Sequence, residues 1–249
     1  MFQRPIAAFA LAAAIVLASL SVPASAADSF TPQQRAEIVG IVRDALRQDP
    51  TILRDAVIAL QADDNRRETQ AQSSAVAELG PQLTQAAGDP TAGNPHGRIT
   101  VVEFYDVRCP YCRKMLPTLA TLLHDNPDLR LVYKDLPVLG PGSVLGARAL
   151  LAAQKQGGYQ KLHDALMAGS PDITQASLQA AVKKLGLDWP RIQADMTAPD
   201  VLARIDANLA LAKKLDLQGT PAYVIGTDVI PGAVDLADLQ AAVTAAKTN

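Results

Sequence analysis

The sequence predicts an α/β fold. A strand–helix–strand unit is separated by a long helical insertion from a β-hairpin and a closing helix, and a helical extension stands in front. Three observations carry this. Two runs rich in β-branched and aromatic residues, Ile99 to Tyr105 and Leu129 to Lys134, flank a stretch with helical spacing of apolar residues, the pattern of a βαβ unit. From Val144 to Leu215 almost everything reads as helix. Strand character then returns at Ala222 to Ile225 and Val229 to Ile230, around the turn Gly226-Thr227-Asp228, which reads as a hairpin.

The front of the chain reads as a secretory signal over residues 1–26. Arg4 lies in a short n-region, Ile6 to Leu20 is apolar, and Ala24-Ser25-Ala26 is a small-residue cleavage site. Removing it takes away Arg4 and no acid, leaving 22 Lys+Arg against 25 Asp+Glu. That near balance offers no basic patch for nucleic acid. The expected mature chain is soluble and exported, with one sizeable core plus an extension, or two small domains.

Residues 27–78 form the expected extension. Thr31 is an N-cap, Pro32 fits the first helical position and Gln34 completes a capping box. Val39, Leu46, Leu53 and Leu60 recur every seven residues, but Asp49 and Asp63 interrupt the alternate heptad row. Asp49-Pro50 is expected to end one short helix and cap the next. Their apolar stripes, including Ile38, Ile41, Ile52 and Val57, need a cover, either the chain's own body or a second copy, and self-association is favoured. After the polar stretch Asp63 to Ser74, Gly80-Pro81 and the run Gly88 to Pro95 read as breakers, which makes residues 79–96 an expected linker.

The catalytic body is expected over residues 97–137 and 217–249, with 138–216 as the insertion. A helix from Pro110 to about His124 carries Met115, Leu116, Leu119, Leu122 and Leu123, and Pro117 should kink it. Gly140-Pro141-Gly142 ends the βαβ unit. Within the insertion, Gly157-Gly158, Ser170-Pro171 and Gly186 separate the helices, and Trp189 and His163 read as core or surface residues, not ligands. A last helix is expected from Asp235 to Ala246.

The chemistry lies where the first strand hands over to its helix, at Cys109-Pro110-Tyr111-Cys112. These are the only two cysteines. Pro110 suits the first helical position, where a backbone N–H would have no partner. Cys109 at the helix N-terminus meets unpaired N–H groups and the positive end of the helix dipole, which stabilise a thiolate. It is the expected nucleophile, exposed at the helix start. Cys112, one turn further in and expected to be buried, would resolve the mixed disulfide. An inert staple closing so short a loop would constrain the unfolded chain little. His96, His124 and His163 lie at no zinc-finger spacing from the pair, while a soft Cu(I) site on two thiolates remains chemically possible.

These residues resemble the DsbA-like branch of the thioredoxin superfamily from about Asn94 onward. The resemblance implies a thioredoxin-like fold with a helical insertion domain, a redox-active Cys109–Cys112 disulfide in place of any other cofactor, and no metal. Gly219-Thr220-Pro221 is similar to the family's loop whose proline is cis and faces the dithiol, which implies Thr220 and Pro221 as substrate-binding residues. Glu103, six residues before Cys109, matches the family's buried acid, thought to accept a proton from the resolving cysteine. Pro117 matches the helix-kinking proline of thioredoxins. The N-terminal part is similar to the suppressor-of-copper-sensitivity C (ScsC) group, some of whose members are trimers that isomerise disulfides. In this chain Tyr111 stands where DsbA has a histidine. Tyr111 carries no positive charge for the thiolate, so a less extreme Cys109 pKa and a less oxidising couple are expected, with Pro110 and Tyr111 as the tuning residues.

The resulting expectation is a periplasmic thiol–disulfide oxidoreductase. It would act on protein thiols or disulfides, with isomerase or reductase activity favoured, be reset by a membrane redox partner and assemble as a trimer through residues 31–78. The alternatives are a monomeric DsbA-like oxidase and a copper-tolerance factor holding Cu(I).

Overall fold

The computed structural model describes residues 30–248, so the expected signal segment lies outside the described residues. The chain divides between Leu60 and Gln61 into two compact units.

The first unit holds helix α1 (Pro32–Gln48) and the start of helix α2 (Thr51–Thr84). The capping box forms as the sequence reads. Gln34 N–H donates to Thr31 Oγ1 at 3.2 Å, and Thr31 N–H donates to Gln34 Oε1 at 2.8 Å. Asp49 ends α1 and receives the Thr51 N–H at 3.0 Å, so it also opens α2. No residue of α1 is buried, and Val39, Leu46, Leu53 and Leu60 are all exposed.

Two boundary expectations are corrected. The second helix is not short, because α2 spans 34 residues and runs through Gly80-Pro81, the supposed start of a linker. A proline inside a helix costs about 3 kcal/mol. Val76, Leu79 and Leu83 are buried in the second unit, and each such side chain contributes about 1.5–3 kcal/mol, which outweighs that cost. Strand β1 (Thr91–Gly93) occupies the rest of the supposed linker and pairs antiparallel with strand β3 (Leu129–Asp135). Gly93 is required there, since it sits at φ +74 and a Cβ would come within 2.6 Å of the Leu129 carbonyl oxygen. Lys134, buried on β3, binds Asp89 at 2.5 Å and the Gln82 carbonyl at 2.8 Å, fixing this segment to the sheet.

Strand β2 (Ile99–Tyr105) is the centre of a five-stranded sheet ordered β1-β3-β2-β4-β5. It runs parallel to β3 through helix α3 (Pro110–Asp125), the expected βαβ unit. Strands β4 (Ala222–Ile225) and β5 (Asp228–Pro231) form the expected antiparallel hairpin, β4 pairing with β2. Between β3 and β4 lie α4 (Pro141–Gln154), α5 (Tyr159–Ala168), α6 (Gln175–Lys184), α7 (Trp189–Asp195) and α8 (Pro199–Lys214), and α9 (Leu236–Thr248) closes the chain. Helix α7 was not expected from the sequence. Its N-cap is Asp188, which accepts the Arg191 N–H at 3.1 Å.

Alternation along β2 sorts its side chains between two faces. Val102 and Phe104 pack with Val76, Leu79 and Leu83 of α2 and Leu211 and Leu215 at the end of α8. Val101 and Tyr105 face the cluster that contains α3, α9 and the insertion helices. Glu103 has the same parity and therefore shares that second face, the one beneath Cys112.

Candidate active site

The turn between β2 and α3 is built on Asp106. Its Oδ1 accepts the Arg108 N–H at 2.8 Å, its Oδ2 accepts the N–H groups of Val138 and Leu139 at 2.9 Å each, and its carbonyl accepts the Cys109 N–H at 2.9 Å. An aspartate opening a turn by binding main-chain N–H groups is ordinary local chemistry. Here the same carboxylate also reaches a loop more than thirty residues away. Cys109 then caps α3, with Pro110 in its first turn.

The two sulfurs are inequivalent. Cys109 is 3 % exposed and Cys112 0 % exposed, so the expectation that Cys109 is openly exposed is corrected. The Cys109 thiol donates to the Thr220 carbonyl oxygen at 3.2 Å, and that loop covers it. A hydrogen bond from Cys112 is the largest influence on Cys109. Bonds from the Thr220 side chain and from the main chain at Cys112 and Tyr111 add to it, and together they outweigh burial and bring Cys109 down to about 5. The Thr220 carbonyl can accept only from the neutral thiol and so works the other way; the donors prevail. The same sulfur–sulfur hydrogen bond, then burial, pushes Cys112 far above the ordinary thiol range. Accessibility therefore does not separate the sulfurs, but acidity does. Both are free thiols in this structure.

Beneath the pair lies Glu103, 2 % exposed and pushed up to about 8 by burial, partly opposed by a hydrogen bond from Tyr223. The Glu103 side chain is inside the protein, not turned to solvent. The Thr220-Pro221 bond is cis, and Pro221 is buried while Tyr111 is 60 % exposed at the surface. All seven candidate residues, Glu103, Cys109, Pro110, Tyr111, Cys112, Thr220 and Pro221, thus converge on the C-terminal end of β2 and the adjoining loop.

Sequence reasoning missed Asp106 and Arg113. Arg113 donates to the carbonyls of Val107 at 2.8 Å, Met167 at 2.9 Å and Gly169 at 2.6 Å, clamping the insertion to the dithiol turn. Nothing local signals the clamp, because two of its three acceptors, Met167 and Gly169, lie more than fifty residues away. His163, read as a core or surface residue, is buried and packs against Tyr105, Tyr133 and Tyr159. Nearby Asp135 accepts from the hydroxyls of Tyr105 and Tyr159 at 2.9 Å each, and burial raises it to about 6.

Residues 100–244 match the family model described as the DSBA-like thioredoxin domain, and residues 34–66 match the copper resistance protein ScsC N-terminal domain. The chain belongs to the DsbA-like thioredoxin family. This DsbA-like protein is similar to a thioredoxin-like oxidoreductase of Silicibacter pomeroyi, at 41 % identity over 68 % of this chain and 98 % of that one, with a TM-score of 0.66. It is also similar to ScsC of Proteus mirabilis, at 33 % identity over 88 % of this chain and 98 % of that one, with a TM-score of 0.64. Among curated proteins it matches part of Na(+)/H(+) antiporter NhaA 1 of Salinispora arenicola, at 31 % identity over 64 % of this chain. The chain spans about a quarter of the length of such curated relatives (24 % here). The DsbA-like fold, the ScsC-like N-terminal region and membership of a thiol–disulfide oxidoreductase family follow from these likenesses. Among the described residues no helix is long and apolar enough to cross a membrane.

Proposed function

We propose that this chain is a periplasmic protein thiol–disulfide oxidoreductase that favours isomerisation or reduction and works as a homo-oligomer. The observation that carries the proposal is the split between the sulfurs, with Cys109 at about 5 and Cys112 far above the thiol range. At neutral pH Cys109 is a thiolate and Cys112 keeps its proton. Cys109 attacks a substrate disulfide, forming the mixed disulfide and expelling a substrate thiolate that takes up a proton. A substrate thiolate other than the one first expelled can attack the substrate sulfur of the mixed disulfide, forming a different substrate disulfide and expelling the Cys109 thiolate, which is isomerisation. Otherwise Cys112 gives its proton to the Glu103 carboxylate and attacks the Cys109 sulfur. That step forms the Cys109–Cys112 disulfide and releases the reduced substrate, and a membrane redox partner would then return two electrons. Thr220 and Pro221 are proposed to lie along the bound substrate, because the Thr220 carbonyl already touches the attacking sulfur.

The exposed stripe at Val39, Leu46, Leu53 and Leu60 supports assembly through the first unit. Burying four such side chains at about 1.5–3 kcal/mol each can exceed the entropic cost of association. The resemblance to the ScsC group, some of whose members are trimers that isomerise disulfides, points to a trimer, and linked heads would raise the local concentration of dithiol around a captured substrate. The test combines light scattering with assays on reduced and scrambled disulfide substrates. An oligomer that reshuffles scrambled substrate supports the proposal. A monomer that only oxidises dithiols would leave the DsbA-like oxidase, and tight Cu(I) retention with no thiol turnover would leave the copper-holding alternative.

A further inference from the structure

Glu103 sits in the sheet between two tyrosines at its own level, Tyr133 of β3 on one side and Tyr223 of β4 on the other. Directly paired residues on neighbouring strands point to the same face, so all three side chains enter the space beneath the dithiol. All three are buried. They are not equivalent, because the Tyr223 hydroxyl donates to Glu103 Oε1 at 3.4 Å, whereas the Tyr133 hydroxyl is engaged by Gln160 of α5.

We propose that Tyr223 is a positioning residue for the oxidoreductase chemistry: its hydroxyl holds the Glu103 carboxyl beneath Cys112 and keeps enough of it ionised to accept the Cys112 proton. The inference rests on the thiol–disulfide reading and deepens it. Tyr223 is suited to the task by its place in the chain, two residues after Pro221, so the strand carrying the substrate-side loop also carries the group that steadies the proton acceptor. A carboxylate accepts a hydrogen bond more strongly than a carboxylic acid does, so the phenol favours the ionised form. Burial works against it, and the Cys109 thiolate adds a like charge from above. The other groups facing Glu103 are Cys112 from α3 and Tyr133 from β3, with His163 and Asp164 of α5 behind Tyr133. Among these, Tyr223 is the donor whose bond to the carboxyl is present in the structure.

The test uses the full chain with Tyr223→Phe, Tyr133→Phe, Glu103→Gln and the Tyr223→Phe/Glu103→Gln double variant. Two quantities are measured. One is the Glu103 titration in the reduced protein, followed by NMR of carbon-13-labelled glutamate carboxyls. The other is the pH dependence of the rate at which a Cys109–glutathione mixed disulfide is resolved by Cys112. Tyr223→Phe should raise the Glu103 midpoint by about one unit and slow resolution at neutral pH several-fold, shifting the profile to higher pH. Tyr133→Phe should leave the midpoint in place, and in the Glu103→Gln background Tyr223→Phe should add nothing. An unmoved midpoint in Tyr223→Phe, an equal shift in Tyr133→Phe, or an undiminished effect in the double variant would overturn the inference. If the wild type resolved no mixed disulfide, the oxidoreductase reading would fall, while the carboxyl titration would still decide the role of Tyr223.

Discussion

The Cys109 sulfur lies 3.2 Å from the main-chain oxygen of Thr220, although 111 residues separate the two in the chain. The loop that a substrate would follow is therefore also the cover of the attacking sulfur. A cysteine that reaches the Cys109 sulfur must displace that contact.

The Cys112 hydrogen bond is the largest influence lowering Cys109, so its donor can be varied directly. Cys112→Ser keeps an O–H donor and should leave the Cys109 midpoint near 5. Cys112→Ala removes the donor and should raise the midpoint by about one unit or more. Thiolate ultraviolet absorbance against pH reads both. Cys112→Ser should also trap mixed disulfides with substrate, and equal trapping by Cys109→Ser would reverse the assigned roles.

Tyr111 is exposed beside the thiolate, and a phenol has no cationic form to offer it. Tyr111→His places a protonatable ring there, which should move the Cys109 midpoint below 5 and make the couple more oxidising, each ~30 mV corresponding to ~1.4 kcal/mol. Equilibration with glutathione checks this, and an unchanged potential removes Tyr111 from the tuning residues.

Burial of Glu103 also costs stability in a defined pH window. The folded protein holds this proton up to about pH 8, whereas the unfolded chain releases it near 4.5, so the folded state binds more protons between those values. Stability from this group is therefore lost as pH rises through the window and is unaffected below it. Glu103→Gln should match wild type in acid and exceed it above roughly pH 8 by a margin on the order of 5 kcal/mol. Chemical denaturation across pH measures it; parallel stability curves would contradict the buried carboxyl.

Asp106 uses its side chain to accept three main-chain N–H groups. Asp106→Asn places an amide donor against at least one of them and removes the charge, which should destabilise the protein by about 2–4 kcal/mol. Because Val138 and Leu139 lose their anchor beside the dithiol, substrate turnover should also fall. Thermal melting and a dithiol assay follow the two effects, and a variant of unchanged stability would show that the three bonds contribute little.

A cut at residue 78 would remove Val76 from the core, so the assembly segment is better tested by removing residues 27–60. The truncated protein should be a folded monomer that still oxidises dithiols but reshuffles scrambled substrate poorly. Charging the stripe with Leu53→Asp and Leu60→Asp in the full chain should act the same way. Light scattering that finds the altered proteins still assembled would place the interface elsewhere.

By itself, the sequence determined the features whose causes are local. The capping box at Thr31, the central strand Ile99–Tyr105, the dithiol at the start of α3 and the heptad stripe are written in residues within a turn or two of each other. Tertiary structure decided the rest. Helix α2 passes Pro81 because Val76, Leu79 and Leu83 find a core, and the three residues of β1 form a strand only because β3 offers an edge. The cover over Cys109, the Arg113 bonds to Met167 and Gly169 and the tyrosines flanking Glu103 depend on groups thirty to more than a hundred residues apart, whereas the main donor to Cys109 is Cys112, one turn away. Local patterns record which face of an element is apolar; they do not record which distant donor or strand will meet it, because that is set only when the sheet register closes.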